Sequence, residues 1–422
     1  MANEEGATGL NVSKPTVADT GKSESALSWQ TFLSTYLPAL IYALGAGIAL
    51  PAVPTLAKSF DVGFGVASGV VTAFLLGNLA GTIPSGWLID RFGRRSVMIA
   101  GPLLTSATAL WVWNASSFTE VLVLRFFSGC AAQMWVMGRL AGISQNAPDS
   151  QRGRLVSWMF GMDNTGKLAG PVLGGYIASE WSATAPFLAY SVISLVALGL
   201  TLMFGEKPKQ AHQGPRAQRQ SKPSPWTLKQ IILPRLVYFA VALFAGLTRG
   251  PVTADLLHLY AAYAYHLGPA EIGYLATGAA LIAWPIGFIA GWILDRFGRK
   301  RTMVPGFSGV AVSMALLAAS AYWNYSYAWY VGLFFLAVAT QSLTGGSVQT
   351  VGADVAPPEA RGVFLGLWRF TGQGGQAIGP IIFAILAAQV DYTAAFLFTA
   401  GCAACVATLL IFLVPETRTE RA

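Results

Sequence analysis

Charge is scarce in this chain. Only 11% of its 422 residues are Asp, Glu, Lys or Arg, while 54% are apolar; a soluble globular domain carries about a quarter charged residues. The shortage excludes an ordinary water-soluble fold and points to lipid as the solvent. Cysteine is equally sparse. Cys130, Cys402 and Cys405 all lie in apolar stretches, so neither a disulfide framework nor a thiolate metal site is indicated. Cys402 and Cys405 have redox-motif spacing, yet without a βαβ context they read as packing residues. Histidine occurs three times, and there is no HExxH, no nucleophile elbow and no glycine-lysine phosphate loop. No metal, cofactor or enzymatic activity is therefore expected, and an ATP-driven pump is disfavoured. Residues 1 to 28 are polar and include Glu4, Glu5, Asp19 and Glu24. They lack the apolar core of a secretory signal and read as a disordered tail.

What the chain does have is long apolar runs. A membrane-crossing helix needs about 20 predominantly apolar residues. With that window, spans fall near 32–51, 67–87, 97–113, 120–144, 155–178, 185–204, 236–261, 272–294, 303–321, 328–352, 363–387 and 394–414. Segments of this length are twice what a barrel strand requires, and a helix satisfies its own backbone in lipid. The expected fold class is an all-α membrane protein with twelve transmembrane helices.

Positive charge is distributed unevenly between the loops. Nearly every loop Arg and Lys falls on the side that holds both termini, whereas Lys58 alone occupies the other. By the positive-inside rule both termini are cytoplasmic, in a multi-pass protein of the inner membrane. The net charge of +8 reads as a topology signal, with some attraction to anionic lipid. No base-stacking or groove-reading motif accompanies it, so nucleic acid is not an expected partner.

A repeat organises the chain. SGWLIDRFGRRSVMIAG at 85–101 returns as AGWILDRFGRKRTMVPG at 290–306, and Ala147, Pro148, Arg152, Gly153, Gly170 and Pro171 return as Ala356, Pro357, Arg361, Gly362, Gly379 and Pro380. Two nearly equal offsets imply a duplicated six-helix unit. The division reads as a cytoplasmic tail 1–30, a bundle 31–205, a basic linker 206–234, a second bundle 235–414 and a tail 415–422. Repeats in the same orientation are related by an axis along the membrane normal.

Through these residues the chain resembles the major facilitator superfamily over residues 30–414. The loop between the second and third helices, with Gly86, Asp90, Arg91, Gly93 and Arg94, matches that superfamily's signature loop. Gly291, Asp295, Arg296, Gly298 and Arg299 match it again between helices eight and nine. The resemblance implies that these loops latch one conformational state. Physically, a carboxylate at a helix end can accept the amides of a neighbouring helix, and loop arginines can bind carboxylates or headgroups. In the fifth helix Gly166, Gly170, Pro171, Gly174 and Gly175 form a small-residue stripe that lets backbones approach closely. It resembles a motif of the twelve-helix drug:proton antiporter branch, and the eleventh helix keeps Gly375, Gly379 and Pro380. Arg125 and Gly129 in the fourth helix resemble that branch's arginine motif, which implies a part in proton transfer.

Ionisable groups inside spans are costly and read as functional by default. Asp163 and Lys167 lie one turn apart on the fifth helix and can neutralise one another, either as a static bridge or as a protonation switch whose partner is exchanged during transport. Asp255 and His258 share a face of the seventh helix and suggest a proton relay, with Arg249 just before Pro251. Arg369, Gln373 and Gln376 share a face of the eleventh, where an arginine buried in the bundle would seek an anionic partner. The first helix, unlike that of many antiporters in the branch, holds no acid. Trp135, Trp158, Trp284 and Trp368 could line a cavity, but packing or an interface position is the favoured reading for each.

These readings imply a monomeric, proton-coupled secondary transporter that exports a small organic compound by alternating access. Import of an organic acid with protons is the alternative, and a transporter-like receptor or scaffold is the alternative of another class.

Overall fold

The computed structural model describes residues 33, 36–146, 149–204, 233–253, 255–357 and 360–416. The expected tail 1–30, nearly all of the linker 206–234 and most of the tail 415–422 lie outside the described residues. Among the described residues every regular element is a helix. Counting a broken helix as one span, the first half comprises Leu37–Ala49 with Ala52–Ser59, Phe64–Ala67 with Gly69–Phe92, Arg94–Trp113, Phe118–Asn146, Asp149–Glu180 and Ala185–Phe204. The second half comprises Leu236–Thr253 with Leu256–Ala264, Pro269–Phe297, Lys300–Tyr322, Tyr327–Leu343 with Ser347–Val355, Arg361–Gln389 and Tyr392–Phe412.

Eleven of these spans are long and apolar enough to cross a membrane. The fifth, Asp149–Glu180, is long enough at 32 residues, but Asp163, Asn164 and Lys167 beside its glycines make it more polar. A span this polar is tolerated in lipid only when its polar groups face protein or a cavity. The fifth span does both.

Breaks in the helices occur at related places. The first span is interrupted at Leu50 and Pro51, and the seventh next to Asp255, separated by the same offset of 205 residues that relates the two repeated loops. Asp255 takes a left-handed backbone, φ +60°, a conformation that costs a residue with a side chain about 1–2 kcal/mol. The tenth span breaks before Ser347, where Gly346 has φ +77°.

The repeated loops also turn alike. Gly93 and Gly298 end the second and eighth spans at φ +79° and +98°, and each amide closes back onto the helix, on Ile89 and Leu294 at 2.9 and 3.3 Å. A helix that stops in this left-handed way favours glycine because no Cβ is present to clash.

Glycine sets the packing within each half. A Cβ at Gly166, Gly170 or Gly174 would strike the first span at Leu40, Gly47 or Ile48; the spacing of four residues places all three on one face. Gly375 and Gly379 approach Leu243, Gly246 and Leu247 of the seventh span in the same manner. Gly77 and Gly129 bring the second and fourth spans together through the Phe126 and Phe74 carbonyls. In lipid, such van der Waals approach supplies the association that the hydrophobic effect supplies in water.

The halves join at the end opposite the repeated loops. There Phe64 packs edge-on against Tyr263 and Tyr392, with ring centres 5.9 and 5.1 Å apart. The Tyr263 hydroxyl donates to the Val62 carbonyl at 2.7 Å, and the Lys58 ammonium to the Ala262 carbonyl. Gly175 of the fifth span meets Pro269, Ala270 and Gly273 of the eighth, and lower down Thr277 donates to the Leu168 carbonyl at 3.2 Å. A single buried apolar cluster here draws on both halves. Toward the repeated loops, Gly86, Gly161, Gly287 and Gly291 have open space where a Cβ would stand.

Candidate functional site

Beneath that closed end lies a cavity of about 640 Å³ between the halves, within the usual range for a small-molecule site. Its ionisable lining comes from both: Arg125 and Lys167 from the first half, and Arg249, Asp255 and His258 from the second. Phe74, Trp284 and Phe334 supply aromatic wall. Asp255 lies close enough to Arg125 and Lys167 to interact electrostatically across the interface.

Each polar group is placed by a specific local feature. Gly129 admits the backbone of Phe74, so the Arg125 guanidinium lies over the Phe74 ring, 4.7 Å from its centre. Its Nε has no hydrogen-bond partner. His258, on the short helix beyond the break, rests edge-on against Phe334 at 5.2 Å, and neither ring nitrogen is partnered. The break at Asp255 thus presents a carboxylate to the cavity from within the seventh span, as the discontinuous helices of transport sites do. Asp255 and His258 do share the cavity, but no hydrogen bond joins them among the described residues. The sequence carries no pattern for the break itself beyond Pro251, two residues before the helix ends at Thr253.

The expected Asp163–Lys167 pair does not form. Asp163 instead accepts two hydrogen bonds from Arg139 of the fourth span, at 2.8 and 2.7 Å, and Lys167 turns into the cavity. A planar guanidinium matches both carboxylate oxygens at once, which an ammonium one turn away cannot. Arg139 was missed because sequence separation hides contacts between helices. Arg369 also departs from expectation: it is exposed rather than buried in the bundle, and of its face only Gln376 reaches the cavity. Of the four tryptophans, Trp284 lines the cavity, whereas Trp135 and Trp368 are core residues.

The repeated loops lie away from the cavity. Gly86, Asp90, Arg91 and Gly93 are exposed. The Arg91 guanidinium sits 5.6 Å from both Trp87 and Phe92, and Arg296 sits 5.5 and 5.7 Å from Trp292 and Phe297. In the second half Arg299 pairs with Asp354 at 2.8 Å, and Glu416 accepts the Arg299 and Lys300 amides at 2.9 and 3.1 Å. That carboxylate caps the ninth span at its amino end, as a helix N-terminus favours. The side chain of Asp295 lies outside the described residues. Gly166, Gly170 and Gly174 serve contact with the first span, and Pro171 and Gly175 contact with the eighth; Pro380 packs beside Gly250. Among the described residues no cluster of three or more His, Cys, Asp or Glu could hold a metal.

Two six-span halves closed at one end over a central polar cavity define a solute carrier of the alternating-access type. The Major Facilitator Superfamily model matches residues 35–257 and 252–422, and the chain belongs to that superfamily. It is similar to the tetracycline resistance protein, class B, of Escherichia coli, with 24% identity over 82% of this chain and 86% of that protein. It is also similar to the quinolone resistance protein NorA of Staphylococcus aureus, with 22% identity over 68% of this chain and 74% of that one. Among solved structures, a D-xylose-proton symporter superposes with a TM-score of 0.76 at 17% identity, covering 92% of this chain and 98% of that one.

Proposed function

We propose that the chain is a proton-coupled secondary transporter that exports a small organic compound across the inner membrane, as one polypeptide, with both termini in the cytoplasm. The observation that carries this reading is the cavity itself. It lies between two halves that touch at the end opposite the repeated loops, and its ionisable lining comes from both. Rocking of the halves, residues 31–205 against 235–414, would change which side the cavity meets and which charges face one another. The names of the resistance proteins of Escherichia coli and Staphylococcus aureus support export over import. In this reading the structure is the cytoplasm-facing state, and Gly86, Asp90, Arg91, Gly93 and Arg94, with Gly291, Asp295, Arg296, Gly298 and Arg299, engage their latch when that side closes. Asp255, with His258 beside it, is the group best placed to exchange a proton, because Arg125 and Lys167 of the other half approach it only in some states. Asp163 is assigned a structural role through Arg139.

The test is flux in proteoliposomes of the purified chain under an imposed pH gradient, with tetracycline and a quinolone as solutes. Solute movement against a counterflow of protons is expected. Movement of both in the same direction would replace export with symport, and saturable binding without flux would favour the receptor reading.

A further inference from the structure

The cavity is unbalanced in charge. Arg125, Lys167 and Arg249 line it with one carboxylate, Asp255, which leaves two positive charges without a countercharge in the wall. None of the four makes a salt bridge among the described residues. Arginine and lysine on the membrane interior ordinarily find carboxylates or carbonyls, because an uncompensated charge there is expensive. Within this same bundle the Arg139–Asp163 pair follows that rule, so the unbalanced cavity is a local feature and not a habit of the chain.

The unpartnered donors point the same way. Arg125 and His258 are each only 9% exposed, yet the Arg125 Nε and both His258 nitrogens, one a donor and one an acceptor in a neutral imidazole, lack hydrogen-bond partners. The ring of Phe74 beneath the guanidinium offsets part of the burial of its charge, but a ring face is at most a weak acceptor and does not replace a carboxylate or carbonyl oxygen. Buried polar groups left unmatched call for an explanation; Arg139 Nε is unmatched too, but Arg125 and His258 differ in lining the cavity, where a bound solute can supply the match. The same cavity also has apolar wall: Trp284 and Phe334 line it with Ala276, Ala279, Ala280 and Ala283.

We propose that this cavity selects an organic anion, with its acidic group held by Arg125 and Lys167 of the first half and its apolar body against Trp284 and Phe334 of the second. Asp255 is the wall's own countercharge and competes with the ligand for the same two cations. An anion bound in this way bridges the halves, which is what a solute must do to bias their rocking. Low-dielectric walls focus the field of the cations into the cavity and favour anions over neutral or cationic isosteres. The inference rests on the reading of this cavity as the transport site, and it adds the charge class of the solute.

Isothermal titration of the purified full-length chain in detergent with three probes of one shape provides the test: naphthalene-2-sulfonate, naphthalene-2-sulfonamide and 2-naphthylmethylammonium. The sulfonate is expected to bind at least about tenfold more tightly than the other two, the scale of one charge-assisted contact. K167Q and R125Q should each erase most of that preference. K167Q is the safer variant for folding because Lys167 is exposed to the cavity. D255N should strengthen sulfonate binding. Equal or tighter binding of the sulfonamide or ammonium, survival of the preference in both K167Q and R125Q, or no saturable binding of any probe would overturn the proposal. The export reading fails separately: an anion that binds while a pH gradient moves no solute sinks export alone, and export of solutes by a chain that prefers the ammonium sinks only the anion assignment.

Discussion

Arg139 and Asp163 meet through two parallel hydrogen bonds of 2.8 and 2.7 Å, with the arginine side chain 1% and the aspartate 16% exposed. The pair ties the fourth span to the fifth inside the first half. Removing one member strands the other charge in the bundle, a loss of about 3–5 kcal/mol in buried pairs, while removing both is far milder. D163N and R139Q should each lower the melting temperature of the detergent-purified protein, and the double variant should recover much of the loss. If D163N melts like the parent chain, the structural role falls and Asp163 returns as a candidate proton carrier.

Glycines in this chain divide into those that are packed and those that face open space. A side chain at Gly174 would drive into the Ile48 backbone, whereas at Gly86 a Cβ meets nothing within 4 Å. G174V should abolish folded expression, since neither backbone can yield. G86A should express and melt normally in the state seen here. Its effect should appear in turnover, if the loop packs tightly when the other side closes; solute flux per purified transporter measures this. An unfolded G86A would count against the open space seen around Gly86.

Closure at the opposite end depends on few polar contacts. Y263F deletes the hydrogen bond to the Val62 carbonyl, worth about 1 kcal/mol, or roughly a fivefold shift between two states. Spin labels at Asn114 and Asn324, both exposed near that end, should report a larger population of long distances in Y263F. K58M added to it should lengthen the distribution further, because Lys58 also crosses between the halves. An unchanged distribution in the double variant would show that the apolar contacts around Phe64 hold the end closed alone.

Orientation is directly measurable. In a background with Cys130, Cys402 and Cys405 replaced, R95C should react with an impermeant maleimide only from the cytoplasmic side. N324C should react only from outside. Both positions are exposed, so a failure to label is interpretable. Reaction of both from one side would undo the twelve-span topology and the transport assignment with it.

Composition and repetition settled the architecture without coordinates. Lipid obliges each crossing segment to satisfy its own backbone, so a count of about 20 apolar residues finds the spans, and a repeated GWLIDRFGRR and GWILDRFGRK mark the two halves. Gly93 and Gly298 stood out in the sequence only as members of the repeated loop; that each ends a helix at positive φ is a finding of the structure. Which ionisable groups meet was not legible. Spans surrounded by lipid and protein are apolar on nearly every face, so no amphipathic stripe records the rotation that turns Lys167 into the cavity, hands Asp163 to Arg139 and leaves Arg369 exposed. The break at Asp255 and the gathering of Arg125, Lys167, Arg249 and His258 around it follow from how twelve helices rotate and slide against one another. That is a property of the assembled bundle, and only the tertiary structure decided it.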